Sequence, residues 1–281
     1  MGAYTLRPQP AGWVPVTPVT PPAHDPVGQS PGVWTLQAWD DFDGPMTTID
    51  ATNGLVKFGG KKRDGSDLIW RGWYPPSPDM LSQSPAGNRC TSPGYAVEYY
   101  DLSALSVASS ILSLTATYAT TPYSPTLTYI AGMIQCNDSF NPVYGYAEAR
   151  IACPAAQGSW PAFWLPASDW SWPPEIDVFE MLNDDTSQFQ ITTWNIAGAT
   201  QGNLSADAHA ATMTDFNVFG LRWTPSDLTF YLNGTQVAQD TNTADIPNQG
   251  MYLVVDTAIR PTNNPADYPS VVQVDYVRFW Q

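Results

Sequence analysis

The sequence predicts an all-β protein, a sandwich of two antiparallel sheets, and three observations carry that expectation. From about Trp34 onward the chain runs in short segments whose apolar and polar residues alternate with period two. Gly, Pro, Asn and Asp break those segments at short intervals. No stretch of ten or more residues carries the apolar spacing of an amphipathic helix. The 281 residues, 43 % of them apolar, are enough for one well-buried core.

Taken in order, residues 1–33 are proline-rich from Pro8 to Pro31, so they read as an extended arm or linker ahead of a domain spanning 34–281. Tyr4, Trp13 and Val16 offer the arm apolar anchors against that domain. Segments 111–117, 146–151, 219–223, 228–232 and 271–280 alternate and are rich in β-branched or aromatic residues, so each reads as a strand. Asn233-Gly234 follows one of them and signals a two-residue hairpin turn, with Gln236-Val-Ala238 as the returning strand.

The most informative segment is Trp172-Pro-Pro-Glu-Ile-Asp-Val-Phe-Glu-Met-Leu182. On a strand Glu175 and Asp177 share one face, and Ile176 and Val178 take the other. Glu180 lies five positions after Glu175, which by strict parity sends it to the buried face. An unpaired carboxylate there costs several kcal/mol. One extra residue, a β-bulge near Val178–Phe179, restores the parity and brings three carboxylates onto one face at steps of roughly 6–7 Å. Like charges at that spacing raise each other's pKa values. Two readings follow: a solvent-facing acidic strand that binds a cation, or a retaining glycosidase. The latter needs two carboxyl groups about 5–5.5 Å apart, here Glu175 and Glu180 with Asp177 holding a shared proton between them.

Gly158-Ser-Trp-Pro-Ala-Phe-Trp-Leu-Pro166, followed by Glu175-Ile-Asp-Val-Phe-Glu180, resembles glycoside hydrolase family 16, the laminarinase and β-glucanase group. The Glu-x-Asp-x-x-Glu form looks like its bulged branch. Tyr144-Gly-Tyr-Ala-Glu-Ala-Arg-Ile151, residues 215–224 and the closing Val274-Asp-Tyr-Val-Arg-Phe-Trp280 are similar to other family strands. The resemblance implies a concanavalin-like β-jelly roll of two curved sheets, with Glu175 as nucleophile, Asp177 as assisting residue and Glu180 as acid/base. It also implies that Trp164, Trp160, Trp194 and Asn195 line the substrate cleft and that Glu148 and Arg150 contact sugar hydroxyls, whereas Phe163 belongs to the core. Many family members carry a histidine where Trp194 and Asn195 stand. Calcium is common in the family, with Asp275 on the final strand and Asp41 or Asp43 near the domain start as its ligands here. Catalysis itself requires no cofactor.

Net charge narrows the partners. Eleven basic against 26 acidic residues leave −15, which disfavours nucleic acid and anionic membranes, and no apolar run is long enough to span a bilayer. Abundant Trp and Tyr suit a neutral, hydroxyl-rich polysaccharide. Cys90, Cys136 and Cys153 have no metal-ligand spacing and read as small core residues. The expectation is a monomeric endo-glycosidase acting outside the cell or at its surface, although the first residues lack the apolar run of a signal peptide. Two alternatives stay open: a non-catalytic carbohydrate-binding jelly roll, and the same chemistry on a galactan or anionic exopolysaccharide. The basic stretch Lys57, Lys61, Lys62, Arg63, Arg71 and Arg89 reads as a solvated loop or, with Trp70, Trp73 and Tyr74, as a cleft-edge loop that would contact the anionic substrate.

Overall fold

The computed structural model describes residues 24–74, 96–119, 127–182, 184–194 and 212–281, and the backbone path of 204–209. Residues 1–23, Arg89, Cys90 and Asn195 therefore lie outside it. Among the described residues there are two sheets, two short 3₁₀ turns at Leu102–Ala104 and Pro265–Asp267, and no α-helix.

One sheet has eleven strands. Its middle is built from Asn217–Trp223, Gly145–Ala152, Ser270–Trp280 and Ile111–Tyr118, side by side and antiparallel. Leu36–Asp40 pairs with the far half of Ser270–Trp280. The other sheet has nine strands. Glu175–Glu180 is third from one edge, between Gln188–Trp194 and Ser159–Pro166, and the latter pairs onward with Val254–Ile259. The segments read as strands from alternation are strands. The Asn233-Gly234 turn joins Leu232 to Thr235 with both turn residues at positive φ, 50° and 79°.

Alternation decides which side of each strand enters the space between the sheets. Ala147, Ala149 and Ile151 point inward, as do Phe163, Leu165, Ile176 and Phe179 from the opposing sheet. Phe179 stacks on Phe219 of the other sheet with ring centroids 4.1 Å apart, and Phe189 meets both edge-on. Each of the larger side chains among these contributes roughly 1.5–3 kcal/mol on burial. Cys136 and Cys153 are free thiols within this core, and burial pushes the Cys136 thiol up to about 12.

The segment expected as an arm is, over residues 24–33, packed on the outer face of the eleven-stranded sheet. Val27 N–H donates to Glu148 Oε2 at 2.8 Å, and Trp280 Nε1–H donates to the His24 carbonyl at 3.2 Å. Gly28 rests directly on Gly234 of the hairpin turn, where a Cβ on either would overlap the other's backbone. Trp34 then meets Tyr146 edge-on at 5.4 Å. A chain starting at Trp34 loses the contacts of His24, Val27 and Gly28, and one starting at His24 keeps them. The shorter chain should be less stable by roughly 2 kcal/mol, or about 4–8 °C in Tm. Equal thermal melts for the two chains would show that the segment contributes nothing.

Candidate active site

The carboxylate strand departs from plain pairing at one place. Against Ser159–Pro166, Asp177 faces Trp164 and Phe179 faces Phe163, so Val178 has no opposite number. Against Gln188–Trp194, Asp177 faces Thr192 and Glu180 faces Gln190, which again leaves one extra residue on the carboxylate strand. This is a β-bulge at the position that parity demanded. It sends Phe179 inward and returns Glu180 to the face of Glu175 and Asp177. Three transverse rows result: Pro166, Glu175 and Trp194; Trp164, Asp177 and Thr192; Ala162, Glu180 and Gln190.

Tryptophans surround the acids. Trp160 Nε1–H donates to Glu180 Oε1 at 3.1 Å, and Trp172 Nε1–H donates to Glu175 Oε2 at 3.1 Å. The Trp172 and Trp194 rings stand 5.5 Å apart. Trp164 lies on the carboxylate face beside Asp177 but is only 6 % exposed, being 6.3 Å from the ring of Tyr74. Phe163 is in the core, as the sequence indicates.

Burial is the largest influence on all three acids and raises their pKa values. Asp177 is 3 % exposed and among the described residues its Oδ2 has no hydrogen-bond donor, so the neutral acid is strongly favoured there; charge on Glu180 and Glu175 acts in the same direction, and a hydrogen bond from the Trp194 side chain offsets part of it. Glu175 is raised next by charge on Glu180, and the Trp172 N–H offsets part of this. Trp160 and Thr192 relieve Glu180. The acids titrate as one cluster, so the protons retained at neutral pH belong to the group and not to one oxygen. Such a cluster can hold one carboxyl as a proton donor while another stays an ionised nucleophile.

A fourth acid belongs here that sequence reasoning missed. Asp256, on Val254–Ile259, faces Ala162 from the side opposite Glu180, is 1 % exposed and accepts from Tyr100 Oη–H at 2.7 Å. Its signal was available, since it is the lone acid in the apolar run Tyr252-Leu-Val-Val-Asp256. Trp172 was missed because it precedes the strand, where alternation says nothing.

Four expected site residues are elsewhere. Glu148 and Arg150 are on the eleven-stranded sheet and point away from the core, on the opposite side of the sandwich from the carboxylates. Glu148 is 1 % exposed and holds Val27 N–H and Tyr276 Oη–H; Arg150 pairs with Asp275 at 2.6 Å and lies over the Phe216 ring. They are structural residues of the outer face. Asp41 and Asp275, expected as calcium ligands, are each taken by a guanidinium, Asp41 by Arg278 at 2.8 Å. Asp275 sits at a register break of its own strand, which turns it toward Arg150. A cation would have to displace both arginines, and among the described residues no group of three metal-ligating side chains forms, so this donor set does not fit calcium.

The basic stretch is largely neutralised from within. Lys57 and Lys61 share Asp67, Arg71 is held by both oxygens of Asp138, and Lys62 donates to the Ser139 carbonyl. Trp70 is fully buried with its N–H on Asp40, and Trp73 is buried against Gly54. Most of the described cations of this stretch are thus paired within the fold, as in an ordinary surface loop, and Arg89 lies outside the described residues.

Comparison with known proteins agrees with the geometry. The profile described as "Glycosyl hydrolases family 16" matches residues 95–278. An endo-1,3-1,4-beta-glycanase of Rhizobium meliloti is 28 % identical over 227 residues, 77 % of this chain and 48 % of that protein. A second endo-1,3-1,4-beta-glycanase of the same organism is 32 % identical over 154 residues, 53 % of this chain and 33 % of that one. The chain thus spans half or less of the length of these relatives. The X-ray structure of the laminarinase from Rhodothermus marinus superposes with a TM-score of 0.68 at 18 % identity, covering 88 % of this chain and 97 % of that one. At that identity the likeness speaks for the fold, a β-jelly roll.

Burial of these acids, with charge on their neighbours acting the same way, has a measurable cost. With folded pKa values raised, the folded state holds extra protons, and stability falls as pH rises from the free glutamate value of 4.5 through about 8 at Glu175. Glu175→Gln keeps an acceptor for Trp172 and removes the charge. It should raise Tm at pH 8 and leave it nearly unchanged at pH 4, read by calorimetry. An equal shift at both pH values would count against a buried charge at Glu175 as the cause.

Proposed function

The chain belongs to glycosyl hydrolases family 16, and from that premise we propose that it is a retaining endo-β-glycosidase acting on a β-1,3-glucan or mixed β-1,3/1,4-glucan. The observation that carries this reading is the bulge at Val178, which gathers Glu175, Asp177 and Glu180 on one aromatic-rich face. A strand that merely faced water would need neither the bulge nor the burial. The glycanase names of the two relatives support the substrate class, and the internally paired basic residues favour a neutral glycan over an anionic one.

In this reading Glu175 attacks the anomeric carbon and forms a glycosyl ester. The glycosidic C–O bond breaks, and its electron pair goes to the leaving oxygen, which takes the proton of Glu180. Glu180 then removes a proton from water, whose oxygen attacks the anomeric carbon and frees Glu175. Asp177, neutral and between them, limits the repulsion that two ionised neighbours would feel. Trp160, Trp164 and Trp194 offer ring faces and edges to the sugars, with Asn195, next along the chain, as a further contact. Catalysis in the family needs no cofactor. Among the described residues no helix is long and apolar enough to cross a membrane, and a polysaccharide outside the cell or at its surface is the proposed target.

Two variants test the roles on laminarin, lichenan, agarose and a galactan, with reducing ends as the readout. Glu175→Gln should lose several decades of turnover while still folding and binding oligosaccharide; more than about a hundredth of the original rate would sink the nucleophile assignment. Glu180→Ala should fail on glucan yet still cleave the activated bond of an aryl glycoside in its first step, with azide restoring turnover and giving a β-glycosyl azide. An α-azide would reverse the two roles.

A further inference from the structure

Trp172 stands in the loop entering the carboxylate strand, 49 % exposed, and no role in substrate recognition accounts for where its nitrogen points. Its ring leans on Trp194 at 5.5 Å and its N–H meets Glu175 Oε2 at 3.1 Å. Glu175 is half-buried at the end of the strand, so its carboxyl can turn about its last torsion, a broad and weakly restrained rotation. A single fixed donor on Oε2 removes that freedom and leaves Oε1 to face the sugar.

We propose that Trp172 is a positioning residue for the nucleophile: its indole N–H fixes the Glu175 carboxyl so that Oε1 makes the bond to the anomeric carbon. This rests on the reading of Glu175 as nucleophile. In the covalent step Oε1 becomes the ester oxygen and Oε2 the ester carbonyl, which keeps the Trp172 N–H as its donor. The glycosidic bond breaks as before, with its electron pair and the Glu180 proton on the departing oxygen. An indole suits this task because it donates at every working pH and carries no charge. A lysine or arginine at the same place would hold the carboxylate through a full positive charge and weaken it as a nucleophile.

The groups that act on Glu175 are Glu180 and Asp256, both acids, and the indole is the influence that favours its ionised form. Asp177 shares its face on the same strand, Trp194 faces it across one neighbour, and the phenol of Tyr252 approaches from beyond Pro166. Without the N–H, Glu175 should hold its proton to higher pH.

The test is Trp172→Phe, which keeps a ring beside Trp194 and deletes the donor, assayed on laminarin across pH 4 to 9. The acid limb of kcat/KM should move upward by about half a unit or more, and plateau kcat should fall roughly 3- to 30-fold with KM within about twofold. Benzothienylalanine at position 172 has the indole shape with sulfur in place of N–H. It should reproduce the Phe result, and it replaces that variant if Phe proves unstable in a thermal melt. An unmoved pH limb with both replacements, together with a raised KM for Trp172→Ala, would overturn the proposal and leave Trp172 as a stacking surface. Failure of the underlying reading is separate: an active Glu175→Gln variant removes the nucleophile itself, whatever Trp172 does.

Discussion

Strand alternation admits Glu175 and Asp177 to one face and, without the extra residue at Val178, would drive Glu180 into the core. Two demands meet at that residue. Phe179 must stay inside, where it faces Phe163 and stacks on Phe219 of the opposite sheet, and Glu180 must come out. A bulge gives up about one ladder hydrogen bond, worth roughly 1 kcal/mol net, whereas a buried unpaired carboxylate costs several. The bulge therefore wins, and the rest of the site takes its spacing from it. Moving the extra residue along the strand would exchange which acids share a face.

Having gathered the acids, the fold satisfies them with neutral donors. Trp160 and Trp172 each give one N–H, and Tyr100 gives a hydroxyl to Asp256. The guanidinium groups of Arg278 and Arg150 go instead to Asp41 and Asp275, on the other sheet. Neutral donors orient a carboxylate without fixing it permanently in its ionised form, which suits the proton exchange proposed for this site. The cost is a cluster less stable when charged, and such strain is common where chemistry is done.

Much of this was legible in the sequence, because parity is a local property. Period-two alternation marked the strands, and the failure of that parity at Glu180 marked the bulge. Alternation also puts Glu148 and Arg150 on one face, but it cannot tell which of two sheets that face belongs to. Motif likeness led to the cleft, and the chain instead runs that strand through the other sheet. Asp41 and Asp275 misled for a related reason: acids near each other look like a cation site until the partners are known, and Arg278 and Arg150 come from positions no local pattern connects. Trp172 lay outside any strand period, and Asp256 was hidden in an apolar run that reads as core.

The internal pairing of Lys57, Lys61 and Arg71 bears on how a substrate arrives. A chain of net charge −15 whose described cations are mostly matched at short range projects a field of one sign into solvent. At an ionic strength of 0.1 M that field fades over about 10 Å. A neutral polysaccharide feels none of it and meets the cleft by unsteered diffusion, held afterwards by ring faces and hydroxyl contacts. A polyanion is slowed before it touches the surface, and added salt eases its approach. Selection by charge thus acts during the approach, ahead of any fit between sugar and cleft.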